Sequence, residues 1–125
     1  MKQIIGIFAL VLLASACKKD ETFEGSITID APSVNAQLQA DSTITIQGSA
    51  TGNMELHGYV LQVTNSTTGA VIYTVDEHAH GESVTISKTF THGLTAQTPL
   101  NLNVKVTYDH DGNYIEKNVQ FNWKP

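Results

Sequence analysis

Arginine is absent from this chain. All seven basic residues are lysine, set against twelve Asp and Glu, for a formal net charge of −5 with neutral histidines. Phosphate backbones call for clustered cations, Arg above all, so nucleic-acid binding is disfavoured and cations are the more natural small partners. Cysteine is nearly absent: Cys17 stands alone, which excludes an internal disulfide and leaves stability to a hydrophobic core that about 100 residues can supply unaided. Aromatic residues make up 7% of the chain, too few for a dense stacking surface; Tyr73, Tyr114 and Trp123 are the candidates for sugar contact. The longest apolar run, Ile4 to Leu13, is too short to span a bilayer as a helix. Neither an HExxH nor a GxSxG motif occurs, and the abundant Ser and Thr reflect strand and turn composition. The chain is expected to be a non-enzyme.

At the N-terminus, Lys2 precedes the apolar run, and Ala14-Ser15-Ala16 supplies a small-residue cleavage region directly before Cys17. These residues resemble the signal and lipobox of bacterial lipoproteins, whose cysteine becomes the lipid-modified first residue after cleavage. Here Leu13 lies four residues before the cysteine and Ala14 stands where leucine is usual, so a plain secretory signal is the alternative. The resemblance implies a leader over 1–16, a lipidated Cys17, and an outer-membrane, lipid-anchored place in the cell envelope, periplasmic or surface-exposed. Lys18 to Gly25 then reads as a polar tether with only Phe23 to bury. Lys18-Lys19-Asp20-Glu21 also resembles the short charged signals that send some lipoproteins to the cell surface. Without the leader, six lysines face twelve carboxylates.

From Ser26 onward, β-branched and polar residues alternate between Gly, Asn, Asp and Pro clusters, and no segment sustains a helical period. Seven strands are predicted: 26–30, 42–50, 56–64, 70–76, 83–90, 100–108 and 114–123. The alternation is cleanest at Leu100, Leu102, Val104, Val106 and Tyr108. Asp109-His110-Asp111-Gly112-Asn113 carries hairpin-turn chemistry rather than the twelve-residue spacing of an EF-hand. Seven short strands in about 100 residues predict an all-β antiparallel sandwich over 26–125. Their count and spacing resemble immunoglobulin-like and fibronectin type III domains, without the cysteine pair or strand-three tryptophan of antibody domains.

The chemistry concentrates at Asp76-Glu77-His78-Ala79-His80-Gly81, where two of five histidines lie two residues apart beside two carboxylates. In an extended segment both rings share a face, with alpha carbons about 6.6 Å apart. If the fourth, third, sixth and seventh strands are neighbours, as the fibronectin-like order implies, His57, His78, His80 and His110 meet at one end. His92 falls at the other. Parity places His57 on the inward face with Tyr59, Leu61 and Val63, and His110 in line with Tyr108. Such a set suits Zn(II) or Cu(II) better than Mg(II) or Ca(II), with Asp76, Glu77, Asp109 and Asp111 as further ligands or as acceptors orienting the rings. Affinity should fall below about pH 6, since a ligating imidazole must be neutral.

The functional expectation is therefore a membrane-anchored envelope lipoprotein with an immunoglobulin-like domain and a candidate Zn(II) or Cu(II) site. The alternative is a non-catalytic adhesion module that binds a glycan or a protein and carries no metal. A third reading makes the histidines a pH sensor.

Overall fold

The structure is a computed structural model, and it describes residues 22–125. The leader expected over 1–16, Cys17 and the first half of the tether lie outside the described residues. Six strands follow in order: β1 (Gly25–Ala31), β2 (Gln37–Gln39), β3 (Thr43–Asn65), β4 (Val71–Thr91), β5 (Thr98–Thr107) and β6 (Tyr114–Lys124). Six replaces the expected seven because the second and third predicted strands are one strand, β3, and the fourth and fifth are another, β4. The short β2 adds one that alternation over three residues could not reveal. Gly52-Asn53 and Gly81 read as breakers in the sequence, yet the β3–β4 ladder carries its pairing past them through irregularities between Thr51 and Leu56 and between Leu56 and Gly58. Bulges of this kind bend a strand without ending it.

The bend divides both strands between two layers. In the first, Thr43–Thr51 of β3 lies between β1 and Ser83–Thr91 of β4. In the second, Gly58–Asn65 of β3 lies between the start of β4 and β5, and β5 pairs with β6. This is the neighbour order expected for the histidine-bearing strands. One pairing departs from a purely antiparallel sandwich: β2 runs parallel to β6, Gln37 opposite Asn122 and Gln39 opposite Lys124.

Inward residues of both layers form one core. Ile44, Ile46, Leu56, Leu61, Val63, Ile86, Leu100, Leu102, Val104, Val106 and Phe121 are fully buried. Each large aliphatic side chain removed from water contributes about 1.5–3 kcal/mol, which is how a domain without disulfides is held. The two arms of β4 also meet across the layers, Tyr73 stacking on Phe90 at 4.3 Å between centroids and Lys88 pairing with Glu77. On the other side, the Lys117 ammonium donates to the Ile27 carbonyl at 3.3 Å. Ordered contacts begin before the first strand, since Phe23 stacks on Tyr108 at 3.9 Å and Asn53 bonds both Thr22 and Glu24. Among the described residues, no buried side-chain nitrogen or oxygen lacks a hydrogen-bond partner.

Candidate functional site

One end of the sandwich is shaped by a mismatch in the β3–β4 ladder. Leu56 pairs with Gly81 and Gly58 with His78, so Ala79 and His80 together oppose the single residue His57. Leu56 is buried in the core while His57 is only half-buried. The expected inward parity of His57 is thereby corrected: the bulge gives the core position to Leu56 and turns the imidazole toward the end of the domain.

The Asp109–Asn113 turn brings the next ring. Asp109 accepts from the Asp111 and Asn113 amides at 3.0 and 2.8 Å and from the Asn113 side chain at 2.6 Å. These bonds, that of the Asn113 amide side chain foremost, hold the Asp109 carboxyl below its ordinary value of 3.8. The Tyr108 amide donates to the Asn113 carbonyl at 3.0 Å and closes the turn. His110 is exposed in that turn rather than inward, since the strand alternation ends at Thr107.

His57, His78, His80 and His110 line one open cleft of about 450 Å³ together with Asp76, Glu77 and Asp109. The His57 and His110 rings are 4.4 Å apart between centroids and tilted by 50°, and His57 meets His80 edge-on at 6.2 Å. His80 Nδ1 faces Glu55 Oε1 at 3.1 Å, and its side chain is 72% exposed. Among the described residues, no group of three or more His, Cys, Asp and Glu is arranged to hold a metal ion. Two of the expected carboxylate partners, Glu77 and Asp109, are engaged elsewhere. Glu77 accepts from the Tyr59 hydroxyl at 3.2 Å and from Lys88, bonds that lower its pKa, the Lys88 bond first. Both oxygens of Asp109 serve the turn.

Glu55 is the partner that sequence reasoning missed. It lies between two predicted strands, although continuing the alternation from Thr51 to His57 would have placed it on the histidine's side of β3. Lys88 was missed because it reaches Glu77 only when the two arms of β4 face each other.

The remaining candidates divide. His92 is buried at the opposite end, where its Nε2 bonds the Asp41 carbonyl at 2.7 Å and its Nδ1 accepts the Leu94 amide at 3.2 Å. Trp123, 4% exposed, packs against that ring and donates its indole NH to the same carbonyl at 2.9 Å. Both are structural, and Trp123 is thereby removed as a sugar-stacking residue. Tyr73 is taken up by Phe90. Tyr114 alone of the three is exposed, with the Lys105 ammonium 4.8 Å from its ring centre.

No family model matches the chain, and no curated protein does. A solved structure does: one of the fibronectin(III)-like modules of CbhA from Clostridium thermocellum is 18% identical, with a TM-score of 0.51, covering 79% of this chain and 96% of that one. The fold is fibronectin type III-like. At that identity the likeness concerns the fold alone, and fold does not assign function. Within the fibronectin-like frame, the cleft lies where the bulged β3–β4 corner meets the β5–β6 turn.

The outer face of the layer that carries β5 and β6 has a different character. Register places Gln62 beside Asn103 and Asn103 beside Asn118, with Thr64, Asn101 and Gln120 in the next row. The Asn101 and Asn103 amides donate to Asn118 Oδ1 at 3.1 and 3.0 Å, Gln120 donates to Asn101 Oδ1 at 2.9 Å, and Ser66 donates to Gln120 Oε1 at 3.1 Å. Charge enters toward its two ends, in the row of Asp76, Val60, Lys105 and Glu116, where Asn103 also donates to Glu116 Oε2 at 3.2 Å, and at Lys124.

Proposed function

We propose that the chain is a non-catalytic binding module of a cell-envelope lipoprotein, tethered through lipid on Cys17, that recognises a glycan with the outer face of the layer that carries β5 and β6. The observation that carries the reading is the amide ladder on that face. Asn101, Asn103, Asn118 and Gln120 fix one another's orientation, so ligand contact orders few additional rotors. Side-chain amides donate and accept together, which matches the hydroxyl groups of a polyhydroxylated partner. A protein partner is less well served, because protein interfaces draw most of their energy from clustered aromatic and apolar anchors. Among the described residues the exposed large hydrophobics are Val34, Val71 and Tyr114, and on this layer Val71 and Tyr114 occupy opposite ends.

The test is binding of the purified chain to an array of envelope and extracellular glycans. A hit should weaken about tenfold or more in the Asn103→Ala, Asn118→Ala double variant, which removes two well-made polar contacts. Binding indifferent to those changes, or binding to proteins alone, overturns the proposal. The anchor is tested separately: Cys17→Ser should abolish incorporation of labelled fatty acid and release the chain from membranes.

A further inference from the structure

We infer that the cleft at the bulged end takes one imidazole-preferring divalent ion, Zn(II) or Cu(II), on His57, His110 and His80, with Glu55 orienting the third ring. The inference is independent of the glycan-binding reading and uses a different end of the domain. With metal–nitrogen bonds near 2.0 Å and nitrogens about 1.1 Å from the ring centre, two imidazoles on a tetrahedral ion have centroids about 5 Å apart. The observed separations from His57, 4.4 Å to His110 and 6.2 Å to His80, fall on either side of that value. Adjustments of roughly an ångström in each bring both pairs to it. The rings do not converge in the structure as it stands, and the exposure of His80 and His110 in an open cleft is what lets them turn toward the half-buried His57. The site is assembled by the ion rather than waiting for it.

Glu55 distinguishes this arrangement from a chance gathering of histidines. A carboxylate accepting from Nδ1–H fixes the tautomer and leaves the Nε2 lone pair for a metal, the usual partner arrangement of a ligating histidine. Glu77 is drawn away by Lys88 and Tyr59 and Asp109 by its own turn, while Asp76 pairs with Val60 in the row of Lys105 and Glu116, away from the bulge. The donors grouped at the bulge are imidazole nitrogens, which select against Mg(II) and Ca(II). His78 is opposite Gly58, outside the bulge that faces His80 to His57, and is not a ligand.

The experiment is calorimetric titration of the metal-stripped, tag-free chain with Zn(II), Cu(II), Mg(II) and Ca(II) separately. One ion per chain is expected for the first two and no heat for the others. His57→Gln, His80→Gln and His110→Gln should each weaken binding about tenfold or more, Glu55→Ala about tenfold, and His78→Gln less than about threefold. Unfolding midpoints of the metal-free variants should match the parent, which separates ligand loss from misfolding. If a variant does not fold, the Cu(II) electron paramagnetic spectrum of the parent still decides, since nitrogen hyperfine lines are required. Absence of binding by both metals, binding that survives all three histidine changes, or a Cu(II) spectrum without nitrogen coupling overturns the inference.

Discussion

Gly58 is the residue at which the backbone itself sets the geometry of the cleft. Its φ of +152° lies in territory that side-chain-bearing residues rarely adopt, and a Cβ there would stand 2.4 Å from the Glu77 carbonyl oxygen. The close approach of β3 to β4 at the bulge therefore requires glycine. Gly58→Ala should destabilise the domain by about 1–3 kcal/mol in urea unfolding and displace the Glu77–His80 segment, read as amide shift changes centred on those residues. Glu77 and Lys88 give a second prediction at this scale. Lys88 holds the Glu77 carboxyl below its ordinary 4.5, while Glu77 raises the Lys88 ammonium above 10.5. The stability contributed through Glu77 is complete above the unfolded carboxyl value and lost as pH falls through the lower folded one. That contributed through Lys88 is complete below its unfolded value and lost as pH rises through the higher folded one. The stability advantage of the parent over Glu77→Gln should accordingly be flat across neutrality and shrink below about pH 4.5 and above about pH 10.5. An advantage independent of pH would show that the pair contributes nothing.

At the scale of the element, β4 explains most of what is unusual. Among the described residues it pairs with β3 alone, so its other edge is open along both layers. A long unpaired edge is a template for other strands, and Asp76, Glu82 and the bulge beside Gly81 discourage such pairing. Asp76→Val with Glu82→Val should leave the fold intact and shift the chain toward dimers or larger assemblies, measured by sedimentation at increasing concentration. A strictly monomeric double variant would show that these charges do not guard the edge. This element also marks where sequence reading stopped. Alternation through Leu100–Val106 and the Asp-Gly turn after it placed β5, β6 and their hairpin almost to the residue. Gly81 and Gly52-Asn53 carried ordinary breaker signals, and only the pairing of two distant segments shows that bulges absorb them. The contacts of Lys88 with Glu77 and of Tyr73 with Phe90 depend on β4 folding over itself, which no local period encodes.

At the scale of the whole molecule, stability rests on one apolar core shared by two layers, and no disulfide contributes. Leu61→Ala, in the middle of the Gly58–Asn65 arm of β3 and fully buried, should cost about 2–5 kcal/mol, a large part of the roughly 5–15 kcal/mol available to a domain of this size. Reductant should not change its unfolding midpoint. The meeting of the histidines was legible to the extent that strand order was: neighbouring strands place 57, 78, 80 and 110 at one end whatever the details. Which rings touch was not legible, because the bulge decides it by turning His57 away from the core and setting it against His80, while the capped turn carries His110 to within 4.4 Å. The fold therefore gathers side chains fifty-three positions apart in sequence, and that gathering is the claim on which the proposed metal chemistry depends. It is tested most directly by nuclear Overhauser contacts between assigned histidine ring protons in the metal-free chain. Cross-peaks are expected between His57 and His110 and none from either to His92; their absence between His57 and His110 would contradict the gathering of these rings.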